Sequence, residues 1–117
     1  MKVTPELVGK VHVVTVDGDL DAGNVQNFKN AILPMLSSPI KLLIDLSNVP
    51  FMDSSGMGAI ITCQRAAAAA GGQLKLCCPS EPVRTAFDLI RLGTIVDIGP
   101  TRNETIYKFS EPITQKT

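Results

Sequence analysis

A chain of 117 residues, of which 44% are hydrophobic and 19% charged, is long enough for one domain with a buried core and too short for two. Eleven Lys and Arg residues balance eleven Asp and Glu residues, so nothing favours nucleic acid or an anionic membrane as a partner. No window is apolar enough to cross a bilayer, and the N-terminus lacks a signal-peptide layout, so we expect one cytoplasmic domain over residues 1–117, without membrane insertion.

The cysteine and histidine content predicts neither disulfides nor a metal site. Three cysteines (Cys63, Cys77 and Cys78) are an odd number, and two of them are adjacent, which strains a bridge between them. With one histidine and no Cys-x-x-Cys pair, a zinc site would have to be assembled from scattered residues. We therefore expect reduced thiols that act as small apolar fillers, with no metal and no cofactor.

Apolar runs rich in Val, Ile and Leu alternate with segments of helical periodicity, which is typical of an α/β fold with a mostly parallel sheet. We predict four to five strands and about four helices. Residues 2–7 and 11–17 form an antiparallel hairpin around Gly9, which can adopt the positive φ of a tight turn, so the first strand lies at the sheet edge. A first helix begins at Asp21 as N-cap and should kink or end at the residue before Pro34.

The middle of the chain predicts a central strand and a second helix. Residues 41–46 are a continuous apolar run bounded by prolines, which indicates a strand buried on both faces at the sheet centre. After a polar turn at residues 53–56, apolar residues at helical spacing and an alanine run form a helix that ends at the glycines of residues 71–72. Residues 73–77 form the next strand.

Two further helices and a short strand are predicted toward the C-terminus. Residues 79–82, Pro-Ser-Glu-Pro, open a third helix, and residues 95–98 form the last strand. Thr101, with Glu104 three residues further on, makes a capping box for a C-terminal helix.

The polar tetrapeptide Asp53-Ser54-Ser55-Gly56 is the segment whose position predicts a functional site. It follows a buried strand and opens a helix, at the carboxyl edge of the sheet, where open α/β sheets hold their binding sites. Unpaired amides and the helix dipole favour added negative charge there, so a phosphate would be tolerated. The same residues also fit an ordinary helix cap. An apolar rim formed by Phe51, Met52 and Met57 would suit a protein interface, although Met57 could equally belong to the core.

Two segments of the chain resemble one known family. Residues 16–21 read Val-Asp-Gly-Asp-Leu-Asp, and residues 43–58 read Leu-Ile-Asp-Leu-Ser-Asn-Val-Pro-Phe-Met-Asp-Ser-Ser-Gly-Met-Gly. Together with the order of elements over almost the whole chain, they are similar to the STAS domain family and, within it, to the single-domain anti-sigma factor antagonists of bacteria. Asp19 stands where many members carry glutamate, and the sequence after Arg91 matches only loosely.

The resemblance implies a partner switch in transcription regulation that is not itself an enzyme. In that family the second serine of the turn is phosphorylated by an anti-sigma factor with a histidine-kinase-like ATPase fold and restored by a PP2C-type phosphatase, which makes Ser55 the acceptor here. The unphosphorylated protein would bind the anti-sigma factor and free the sigma factor. A phosphate beside Asp53 would repel that partner with little change in the fold. The partner-binding surface that the family implies comprises Asp21, Asp53, Ser54, Gly56 and Met57, with Gly56 allowing a close approach of the partner's backbone.

Other functions fit these residues less well. A serine hydrolase would need a base beside Ser55 and a Gly-x-Ser-x-Gly elbow, but residues 53–57 lack the flanking glycines, and His12 lies in an alternating strand context. A constitutive STAS subunit of a lipid-transport or stress-signalling assembly would use the same turn for docking, without phosphate turnover.

A receiver-type phosphoaspartyl protein is the alternative from another class. Acidic residues at the end of the second strand and just after it could hold Mg²⁺ near Asp45 or Asp53; they are Asp17, Asp19 and Asp21. Such a site also needs a cation to balance the acyl phosphate, and the last predicted strand is followed by Gly99 and Pro100, with no lysine.

Overall fold

The computed structural model describes residues 1–109, and the last eight residues of the predicted domain lie outside this part. Five strands form one sheet in the order β1-β2-β3-β4-β5, in which β1 pairs antiparallel with β2 and the other neighbours are parallel. The predicted α/β fold with an antiparallel N-terminal edge strand is therefore confirmed. The strands are β1 (Lys2–Val8), β2 (Val11–Asp17), β3 (Lys41–Asn48), β4 (Gln73–Cys77) and β5 (Asp97–Gly99).

Among residues 1–109, four α-helices pack on the sheet, three on one face and one on the other. Alternate side chains of β2, β3 and β4 form the main core with the first three helices, and the intervening side chains pack with the segment that contains the fourth. The helices are α1 (Val25–Ile32), α2 (Ser54–Ala69), α3 (Glu81–Leu89) and α4 (Arg102–Tyr107). Within the described residues, no helix is long and apolar enough to cross a membrane.

The N-terminal hairpin and the helix after it differ in how well they match the prediction. Gly9 has a φ of +61° and closes the predicted β1–β2 turn. The first helix, however, begins at Val25 and not after Asp21, because the Asp21 carboxylate accepts the amides of Gly23 and Asn24 and forms a separate turn. The helix ends at Ile32, and a 3₁₀ turn containing the proline follows, as the missing proline N–H requires.

The central strand and its neighbours agree closely with the sequence. The side chains of residues 42–46 in β3 are all buried, because this strand has a partner on each side and helices on both faces. Helix α2 ends at Ala69, just before the two glycines. Gly72 lies where a Cβ would stand 2.6 Å from the carbonyl oxygen of Ile40, so glycine is needed for the close approach between the chain segments.

In the C-terminal part, the last strand is displaced from its predicted position. Residues 92–94 form a 3₁₀ turn and β5 begins at Asp97, two residues later than predicted, since Ile95 and Val96 donate their amides back to the carbonyl of Leu92. The Thr101 hydroxyl accepts the amide of Glu104 at 3.2 Å, which confirms the predicted N-terminal cap of α4.

Candidate functional site

The loop between β3 and α2 is tied to the segment that follows β2. The amide of Leu20 donates to the carbonyl of Phe51 at 3.0 Å, and the amide of Asp53 donates to the carbonyl of Leu20 at 3.3 Å. Leu20 and Met52 thereby form an isolated parallel bridge, and both side chains are buried. These contacts hold the start of α2 at the carboxyl edge of the sheet, beside the acidic turn after β2.

Asp53 caps α2 and joins it to the neighbouring loop. Its Oδ1 accepts the amides of Ser55 at 2.9 Å and Gly56 at 3.2 Å, while its Oδ2 accepts the amide of Ala22 at 3.2 Å. The extended backbone of Asp53 (φ −104°, ψ −173°) is the usual conformation of an N-cap residue. The sequence predicted the cap, but the bond to Ala22 comes from a residue 31 positions away and had no local signal.

The cap changes how a phosphate would be received at this helix start. Two amides of the first turn, those of Ser55 and Gly56, already donate to Asp53. The unpaired amides expected there from the sequence are therefore occupied at these two positions, and a phosphate on Ser55 would compete with the Asp53 carboxylate for them. Ser54 is exposed and Ser55 is half-buried, so both residues are at least partly accessible to solvent.

Gly56 is buried in the protein interior and is not part of the surface. A Cβ at this position would lie 2.8 Å from Met52 Cγ and 2.9 Å from Leu20 Cγ, and closer still to the carbonyl oxygen of Leu20. The close approach that Gly56 permits is thus an internal one between α2 and the loop at Leu20. Its effect on a partner would come through the shape of the turn.

The surface around the turn is acidic with one large apolar side chain. Phe51 is 51% exposed, whereas Met52 is buried and Met57 is half-buried against the main core. The predicted apolar rim therefore reduces mainly to Phe51. Asp21 is half-buried next to Ala22, the residue that bonds to Asp53.

The residues that a serine hydrolase or a phosphoaspartyl receiver would need do not meet at this turn. His12 is the second residue of β2 and lies with Lys10 in an open cleft of about 340 Å³ at the opposite end of the sheet. Asp45 faces α4 and binds Arg102 on the other side of the sheet. Among residues 1–109, the acidic residues after β2 do not join Asp53 in a cluster compact enough to hold a metal ion.

Fold and site together define a small α/β domain that presents a capped serine turn at the carboxyl edge of its sheet. The STAS domain model matches residues 2–105, and the chain belongs to this family. It is 31% identical over 85 residues to the anti-sigma-B factor antagonist of Bacillus subtilis, covering 73% of this chain and 78% of that protein.

Solved structures agree with this assignment. The unphosphorylated anti-sigma factor antagonist SpoIIAA is 26% identical with a TM-score of 0.71, covering 90% of this chain and 93% of that one. The Bacillus SpoIIAA structure in its phosphorylated form also matches, at 24% identity and a TM-score of 0.67, with coverage of 93% and 100%. An anti-sigma factor antagonist from Mycobacterium paratuberculosis shares the fold with a TM-score of 0.85 at 23% identity, with 94% of each chain covered.

Proposed function

We propose that this protein is an anti-sigma factor antagonist whose binding to an anti-sigma factor is switched off by phosphorylation of Ser55. The observation that carries the proposal is the Asp53-capped helix start, which holds two serines at a surface edge of a rigid sheet. The relatives support it, because one is named an anti-sigma-B factor antagonist and SpoIIAA has been solved with and without phosphate.

Electrostatics would drive the switch. A phosphate adds about −1.5 to −2 charges next to the Asp53 carboxylate and near Asp21. A partner fitted to the unmodified surface would meet this charge at close range and be repelled. Because α2 is anchored in the core by Ile60, Cys63 and Ala67, the fold would persist and the change would be confined to the surface of the turn.

The partner surface in this proposal combines polar and apolar contacts. We assign Asp21, Asp53, Ser54 and Met57 to this surface because the family implies them, and the exposed ring of Phe51 would add a large apolar anchor. Gly56 contributes by letting the helix start lie close to Leu20.

The chemistry of the switch belongs to other proteins. We assign phosphorylation to an anti-sigma factor with a histidine-kinase-like ATPase fold and dephosphorylation to a PP2C-type phosphatase, both implied by the family. This chain supplies the acceptor hydroxyl in the cytoplasm and is a substrate of both enzymes. Release of the sigma factor would follow from binding of the unphosphorylated form.

Intact-mass analysis of protein recovered from its native cell tests the modification. The wild type and a Ser54→Ala variant should each carry one acid-stable phosphate under some growth condition, and a Ser55→Ala variant should carry none. Absence of phosphate under every condition would instead favour a constitutive docking subunit. An acid-labile adduct that survives in Ser55→Ala would favour a phosphoaspartyl protein.

Calorimetric titration against the cognate anti-sigma factor tests the electrostatic mechanism. Ser55→Asp adds a carboxylate at the acceptor position, and Ser55→Asn is the matched control, because it has the same shape without the charge. We expect Ser55→Asp to bind at least about tenfold more weakly than Ser55→Asn, which corresponds to about 1.4 kcal/mol. Equal affinities of the two variants would contradict the mechanism.

A further inference from the structure

Three side chains that can bind a metal ion cluster on the face of the sheet that α4 covers, toward the carboxyl ends of β3 and β4. A carboxylate oxygen of Asp45 and the sulfur atoms of Cys77 and Cys78 all lie within 4.8 Å of one another. Asp45 and Cys77 are buried and Cys78 is half-buried, so the cluster has one side open to solvent. The proposed phosphorylation switch does not use any of these three residues.

The backbone brings the three side chains together in an unusual way. Asp45 and Cys77 are register partners in the parallel pair β3–β4, which places their side chains on the same face. The next residue would normally point to the other face, but Cys78 has a left-handed backbone with φ +63°. Its amide is held at 3.0 Å from the carbonyl of Gly99, which fixes this conformation at the end of β4.

The surrounding charges orient the carboxylate. Arg102 donates to Asp45 Oδ2 through Nε at 3.2 Å and Nη2 at 2.9 Å, and the amide of Ser47 donates to Oδ1 at 2.9 Å. Glu6 accepts a further bond from Arg102 at 3.2 Å. Oδ2 already accepts two bonds from Arg102, whereas Oδ1 accepts the Ser47 amide and has a second lone pair, so a cation would bind at Oδ1.

We propose that Asp45, Cys77 and Cys78 form a binding site for a zinc-like thiophilic divalent cation. Zn²⁺ binds thiolate sulfur at about 2.3 Å and carboxylate oxygen at about 2.0–2.2 Å in a tetrahedral arrangement, which puts neighbouring ligand atoms roughly 3.5–3.8 Å apart. The three ligand atoms lie within 4.8 Å of one another, so their separations exceed this distance by at most about 1.3 Å. Because Cys78 is half-buried, water would supply the fourth ligand.

Metal binding would change the protonation and the net charge of this site. On binding, each thiol loses its proton to solvent, and two thiolates with one carboxylate carry three negative charges against the two positive charges of the metal. Arg102 offsets the remaining negative charge in part, because it hydrogen-bonds to the ligating carboxylate, as outer-sphere partners of metal ligands do, but also pairs with Glu6. Burial raises the pKa of the Cys77 and Cys78 thiols, so the loss of their protons works against binding, and the metal–sulfur bonds must outweigh it.

Titration of the reduced protein with Co²⁺ tests the site, because cobalt reports both thiolate ligation and tetrahedral geometry in its absorption spectrum. We expect one equivalent to bind, with a thiolate-to-cobalt charge-transfer band and intense ligand-field bands, and Zn²⁺ to displace it. Cys78→Gly removes one ligand and suits the left-handed backbone, so the variant should fold and bind on the order of 100-fold more weakly.

Cys63→Ala is the matched control, because Cys63 is a fully buried thiol in α2 on the other face of the sheet. This variant should keep the wild-type cobalt spectrum and affinity. The inference is overturned if wild-type protein shows no charge-transfer band at stoichiometric cobalt, or if Cys78→Gly binds as tightly as Cys63→Ala. Circular dichroism of both variants establishes that they are folded before the titrations are compared.

Discussion

Replacing Gly56 by alanine should destabilise the protein, although alanine is the better helix former. Gly56 occupies the first turn of α2, where an added Cβ lies 2.8 Å from Met52 Cγ and 2.9 Å from Leu20 Cγ, with the carbonyl oxygen of Leu20 closer still. A backbone carbonyl cannot rotate away as the end of a flexible side chain can. The start of α2 must therefore move away from the loop at Leu20. This movement strains the hydrogen bond from the Ala22 amide to the Asp53 carboxylate.

Gly58 supplies a control within the same helix. A Cβ at Gly58 meets no atom within 4 Å, so Gly58→Ala should show only the gain in helix propensity, up to about 1 kcal/mol. Gly56→Ala has the same gain but adds an overpacking cost of about 1–3 kcal/mol. The free energies of unfolding of the two variants should thus differ by about 1–3 kcal/mol, with Gly58→Ala the more stable.

Urea unfolding of the two variants, followed by circular dichroism, measures this difference. Equal m-values would show that the comparison concerns the folded state. The packing argument is refuted if Gly56→Ala is as stable as Gly58→Ala. The same Gly56→Ala variant should bind the anti-sigma factor more weakly than wild type, because the turn that carries Ser55 is displaced.

Three other outcomes are expected from the same contacts. Asp53→Ala removes the acceptor of three amides and should lower the free energy of unfolding by about 1–2 kcal/mol in urea titrations, whereas loss of less than a few tenths would contradict the cap assignment. Arg102→Ala leaves the buried Asp45 carboxylate without its counter-ion and should cost about 3 kcal/mol at neutral pH in chelator-treated protein. Burial raises the pKa of Asp45, but the bonds from Ser47 and Arg102 outweigh it and hold the pKa below 3.8. The contribution of the ion pair is therefore present above pH 3.8 and lost as the pH falls below it, so the gap between wild type and Arg102→Ala should shrink in acid unfolding experiments. Phe51→Ala should leave the unfolding midpoint nearly unchanged, since the ring is half exposed, and should weaken binding to the anti-sigma factor in calorimetry.

The sequence predicted the sheet because each strand carries its own pattern. Residues 41–46 are largely apolar on both faces and hence lie inside a parallel sheet, as they do in β3. Residues 73–77 of β4 instead alternate, with the polar Gln73 and Lys75 on either side of Leu74. The errors came from competing local bonds. Asp21 resembles a helix cap in sequence, but its carboxylate closes a turn ahead of α1, and the amides of Ile95 and Val96 return to Leu92 before β5 begins.

The Asp53 turn and the Asp45 cluster differ in how far apart in the sequence their contacting residues lie. Asp53 caps amides two and three residues ahead, so residue types and spacing were enough to predict the cap. The bond from Ala22 and the burial of Gly56 depend on the path of a loop that is distant in sequence. Asp45 meets Cys77 only because β3 and β4 are neighbours in one register, and no sequence pattern predicts a left-handed Cys78.

The Asp53 cap also sets how far phosphorylation of Ser55 can change the molecule. A phosphate that takes the amides of Ser55 and Gly56 from Asp53 replaces one anionic cap by another, so the helix start keeps an acceptor and loses little stability. A phosphate that leaves the cap intact places its whole charge on the surface beside the Asp53 carboxylate. In both cases α2 stays packed through its buried face. In the proposed switch the partner would therefore detect charge and shape at the turn, and a comparison of Ser55→Asp with the uncharged Ser55→Asn separates these two effects.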